Sequence, residues 1–152
     1  LGQAYLARGQ LIEAERSYER ARQLAPESPT LERRLELVRD SIQLEERRLR
    51  EVEERLQRNP DDAAALLQKA QISYRLGDPT AAIAAGERLQ QLAPNDRAAL
   101  TTLARAYQET DQLEKAQEVI RRATTQGLIR SDAARQLNRE LLRDRNLQLP
   151  RN

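Results

Sequence analysis

Five residue types are missing from this chain of 152 residues: cysteine, histidine, methionine, tryptophan and phenylalanine. Without cysteine there is no disulfide, no thiol nucleophile and no redox switch, although this leaves the compartment open. Without histidine the commonest general base is gone as well, so catalysis has little to work with. The five glycines are isolated and build no phosphate-cradling loop. No group of residues has metal-ligand spacing. Adjacent acids such as Glu45-Glu46 and Asp61-Asp62 resemble carboxylate pairs on paper. A solvated helix face or a helix start explains them better, because acids are favoured in a first helical turn. The chain therefore reads as no enzyme, with no catalytic residue, metal or cofactor. No apolar run approaches the roughly 18–20 residues of a membrane span. Leu1 is no translation start, so the sequence reads as a piece of a longer protein, and signals left outside it would not be seen.

What is present favours helix. Alanine, leucine, arginine, glutamine and glutamate dominate, all good helix formers, and no stretch keeps a period of two for long. Charged residues make up 33% of the chain, yet 26 basic and 24 acidic side chains nearly cancel to a net +2. The two signs alternate instead of gathering basic charge on one face, so no nucleic-acid partner is expected. All the basic residues but Lys69 and Lys115 are arginine, which holds carboxylates in planar, bidentate contacts better than lysine.

Pro26, Pro60 and Pro94 recur at intervals of 34 residues, the kind of fixed period that marks a helical repeat array. Each ends an incoming helix and precedes an acidic or amide cluster suited to the next helix start. The unit that ends at the first of them runs Leu1-Gly2, Tyr5, Gly9, Ala14, Tyr18, Ala21 and Pro26. A later unit repeats the phase through Leu66, Ala70, Gly77, Ala82, Leu89 and Pro94, and the last through Leu100, Leu103, Ala104, Tyr107, Ala116, Ile120 and Ala123. This pattern resembles the tetratricopeptide repeat over about residues 1–127. The departures are Lys69, Ser73 and Gly86, where larger apolar residues are usual. The resemblance implies an all-α superhelix of antiparallel helical hairpins. Helices are expected near 1–7, 11–24, 62–76, 79–92, 96–109 and 113–125. The division that follows is a truncated first unit over 1–29, a degenerate second unit over 30–60, and third and fourth units over 61–127. Gly127 and Ser131-Asp132 then start a capping helix over 128–145 with Ala134, Leu137 and Leu141 on one face, before a loose tail at 146–152.

The second unit breaks the pattern. Where the others have small residues it has Glu36, Arg48 and Arg55, and Gln43 stands where the others turn at Gly9, Gly77 and Asp111. Leu35, Ile42, Leu49 and Leu56 recur every seven residues beside Leu31, Val38, Glu45 and Val52, an apolar seam interrupted once by an acid. Glu46 with Arg50, Glu51 with Arg55 and Glu54 with Arg58 add helix-favouring pairs. The pattern predicts one helix from Thr30 to Arg58, against a competing hairpin bent at Asp40-Ser41. The middle of such a helix, Ile42 to Leu49, is expected to reach past its neighbours and favour self-association through 30–58.

In the resembling family the first helix of each unit lines a concave groove that takes a protein or peptide segment. By that resemblance the groove-facing residues are Leu67, Gln71, Tyr74 and Arg75, then Thr101, Arg105, Gln108 and Glu109. Tyr74 follows the packing position held by Ser73, so it either faces the groove or covers the neighbouring helix. Arg75 and Arg105 suit an acidic or phosphorylated segment. The lysine and asparagine set of carboxylate-clamp co-chaperones is missing. The resemblance implies a scaffold or adaptor. The alternative is a saccharide-binding or export-associated repeat domain of a bacterial envelope protein, for which two or more exposed aromatics in the groove would be wanted.

Overall fold

The computed structural model describes residues 1–136, 138 and 139. Among them the chain forms α1 (Gly2–Ala7), α2 (Leu11–Leu24), α3 (Pro29–Arg58), α4 (Ala63–Arg75), α5 (Pro79–Leu92), α6 (Arg97–Glu109) and α7 (Leu113–Thr125). An eighth helical stretch follows over 131–136. The described residues contain no strand. Leu137, Leu141 and the expected tail lie outside the described residues.

Three short turns close the hairpins α1–α2, α4–α5 and α6–α7 in antiparallel fashion. Each uses one residue in the left-handed region: Gly9 at φ +76°, Gly77 at +72° and Asp111 at +58°. Aspartates cap both helices of the third unit and the first helix of the fourth. Asp62, Asp78 and Asp96 accept from the amides of Ala65, Ala81 and Ala99 at 2.9, 2.9 and 2.8 Å. Small residues sit where helices approach closely. A Cβ on Gly2 would meet the Tyr18 ring at 2.8 Å, and one on Gly86 would press Leu103 Cδ1 at 3.1 Å. Gly86 thus departs from the family pattern to let α5 lie close to α6. Lys69 departs to reach Glu53 of α3 at 2.9 Å.

The second unit is one unbroken helix of 30 residues. The bend at Asp40-Ser41 does not occur: Ser41 Oγ donates back to the Leu37 carbonyl at 2.8 Å, a mid-helix contact and no cap. Two partners share the seam. Leu35, Val38 and Ile42 pack with Ala14 and Tyr18 of α2 and with Leu76 beyond α4. Farther along, Val52 packs with Ala65 and Ile72 of α4, flanked by Leu49 and Leu56. Arg39 clips α3 to Glu15 and Glu19 of α2. The expectation that the seam's middle reaches past the flanking units is corrected. Ile42 is only 8% exposed, because the end of α4 folds over it. The stripe is covered within one chain, and the ground for self-association through it disappears. Arg55 also departs from its expected pairing with Glu51. It turns across to Asp62 at 2.8 Å and Gln68 at 2.9 Å, fastening the end of α3 to the start of α4.

Candidate functional site

Folding α3 straight brings the first hairpin beside the third and fourth units. The result is a cleft of about 550 Å³ whose walls come from four places in the chain. The turn from Leu6 to Leu11 forms one side, and Ser41 and Glu45 of α3 form the floor. Gln71, Tyr74 and Arg75 of α4 face Thr101, Thr102 and Arg105 of α6. Beyond Glu45 a second hollow of about 440 Å³ continues along α3 and α4, sharing Glu45, Gln71 and Arg75 with the first.

An ion pair forms the divide. Arg75 Nη1 donates to Glu45 Oε1 at 2.7 Å, with Glu45 only 6% exposed. Arg48 stands 3.6 Å from the same oxygen. Glu45 Oε2 is buried and accepts no hydrogen bond from the described residues. The acid that interrupts the seam therefore meets an arginine of α4 in its own chain.

The eight residues expected to face a groove separate into three groups. Gln71, Tyr74, Arg75, Thr101 and Arg105 share the cleft. Leu67 does not; it packs on the cluster of Leu66, Ala70, Ala85 and Leu89 between α4 and α5. Gln108 and Glu109 lie farther along α6. Glu109 accepts from Gln10 Nε2 at 2.7 Å and lies 3.5 Å from Arg8 Nη2, so the α1–α2 turn already holds it.

Tyr74 also differs from an exposed stacking surface. It is 7% exposed and packs with Ala82 and Ala106, covering the neighbouring helix while its edge borders the cleft. Burial, and then the negative charge and hydrogen bonding of Glu109, push its phenol up to about 12, against the opposing fields of Arg8 and Arg105. It is a neutral hydroxyl at ordinary pH. Tyr107, at a family packing position, donates to Glu87 at 2.5 Å, and burial with that bond raises its phenol too. Arg105 is exposed on the cleft wall, and among the described residues no carboxylate lies within ion-pair distance of it.

The sequence reading missed Arg8, Gln10, Ser41 and Thr102. For Arg8 and Gln10 no local signal exists, since their role depends on a docking between units about 100 residues apart. Among the described residues no group of acids could hold a metal ion, and no helix is long and apolar enough to cross a membrane. Residues 74–127, from the end of α4 through α7, match the family model of the tetratricopeptide repeat. The comparison with curated proteins returned no match.

Proposed function

We propose, on the premise that the chain carries tetratricopeptide repeats, that it is a scaffold or adaptor taking a partner protein's segment in the cleft between α1, α3, α4 and α6. Such repeats generally mediate protein–protein contact. The observation that carries the reading is Arg105, an exposed guanidinium on the cleft wall without a carboxylate of its own among the described residues. A guanidinium in that position binds a carboxylate or phosphate in bidentate fashion. Gln71, Thr101 and Thr102 add donors and acceptors for a peptide backbone. Arg75 serves less directly, because it neutralises buried Glu45. The saccharide reading has polar walls in its favour, but the Tyr74 ring is buried and offers no open face for a sugar to stack on.

Selection of random peptides on the whole chain tests this. Acidic segments should be enriched. Arg105→Ala should weaken the selected peptides about tenfold, the size of a charge-assisted contact at a partly desolvated site. Arg105→Lys should retain part of the affinity, and helicity should be unchanged in both. Selection of neutral or basic segments, or equal affinity for Arg105→Ala, would sink the proposal.

A further inference from the structure

The α1–α2 turn forms one side of the cleft and reaches α6 through polar contacts. Arg8 and Gln10 both reach Glu109 at the end of α6, at 3.5 and 2.7 Å. Gly9 lies against Arg75, where a Cβ would sit 3.7 Å from Cγ. Opposite, a Cβ on Gly77 would sit 3.5 Å from Ile12 and Glu13. The contact is imperfectly satisfied. Gln10 Oε1 and Glu13 Oε2 are buried there, and neither accepts a hydrogen bond from the described residues. Such oxygens lose hydration without regaining a partner, so the closed arrangement carries a penalty that opening relieves. The first hairpin is held to α3 by the apolar cluster of Ala14, Tyr18, Leu35, Val38 and Ile42, which Tyr5, Leu11 and Ile12 at the roots of the turn join, leaving only the tip at Arg8, Gly9 and Gln10 outside it. The tip of the turn, Arg8 to Gln10, can therefore lift from α6 while its roots and the hairpin stay docked.

We propose that the tip of the α1–α2 turn is a gate built into one wall of the cleft, clasped to α6 through Glu109, whose release widens the cleft for an incoming segment. The gate's purpose rests on the binding reading above, but its motion is measurable without any partner. The closed turn holds Glu109, a residue the family resemblance would give to the partner, so a partner and the turn compete for the same carboxylate.

The chain has no native cysteine, so Thr102→Cys places a single thiol on the cleft wall of the whole protein. Its alkylation rate with iodoacetamide reports opening. Adding Glu109→Ala should raise that rate about fivefold, the equivalent of losing one modest polar contact. The pair Arg8→Ala with Gln10→Ala should do the same from the other side of the clasp. A control thiol from Glu54→Cys, away from the cleft on α3, should keep its rate throughout. Circular dichroism checks that helicity is retained; if Glu109→Ala loses it, the Arg8 and Gln10 variants decide. Unchanged Thr102→Cys rates in folded clasp variants overturn the gate. That failure would leave the Arg105 test of the binding reading untouched, so the two proposals fall separately.

Discussion

The Glu45–Arg75 pair joins a buried carboxylate to a half-exposed guanidinium, with side-chain exposures of 8% and 46%. The two partners are therefore not equivalent. Removing Arg75 leaves a largely buried carboxylate with only the longer contact to Arg48 at 3.6 Å, whereas removing Glu45 lets Arg75 turn outward. Arg75→Ala should destabilise the fold by about 2–4 kcal/mol. Glu45→Leu should stay within about 1 kcal/mol of the parent, since it also removes the unsatisfied Oε2. Urea unfolding of both variants checks the asymmetry, and equal losses would show that Glu45 is solvated. Tyr74 gives a second test at this scale. Its value of about 12 lies above the ordinary 10.0, so the fold favours the protonated phenol. As pH rises, the unfolded chain loses this proton first. The stability is complete below pH 10 and is lost as pH rises toward 12. Tyr74→Phe should reduce the alkaline fall by up to about 2–3 kcal/mol, read from urea unfolding at successive pH values. An alkaline profile identical to the parent's would mean that Tyr74 ionises freely in the fold.

At the scale of elements, the helices were legible wherever one local rule set their ends. Gly9 and Gly77 take the left-handed turns the period assigns to them, and Asp62 and Asp96 cap the helices that follow Pro60 and Pro94. The continuity of α3 was legible for the converse reason. Gln43 sits where a turn residue was needed, and Arg48 and Arg55 sit where small residues were needed, which favoured one helix over the competing hairpin at Asp40-Ser41. Physical arguments of this kind use neighbours in sequence. They fail where the partner is remote. Nothing near Glu45 points to Arg75, 30 positions on, nor does anything near Arg55 prefer Asp62 over Glu51. The candidate site shared that limit. The family resemblance, not the period, pointed to Gln71, Arg75, Thr101 and Arg105 as groove-facing, and it gave no sign that the fourth wall is the α1–α2 turn. Tyr74 was ambiguous from helical phase alone, because one step of about 100° separates groove from helix contact, and burial resolved it toward the helix.

For the molecule as a whole, α3 acts as a strut whose two ends serve different units. Its first half carries the α1–α2 hairpin and its second half carries α4, so the seam is filled twice over within one chain. Ile42 lies at the changeover, packed in the first cluster with Leu76 arriving from α4. An acid there cannot escape to solvent and has no arginine assigned to it. Ile42→Asp should therefore lower the unfolding free energy by about 3–5 kcal/mol, the cost of an uncompensated buried charge. The loss should be independent of protein concentration, because the contacts broken are intramolecular. Sedimentation should give a monomer for the parent chain up to high micromolar concentration, and for whatever fraction of Ile42→Asp remains folded. An opposite pattern, a parent dimer that Ile42→Asp separates into stable monomers, would mean that the seam pairs between chains and that the cis packing of Leu76 and Tyr18 against it is not the solution arrangement.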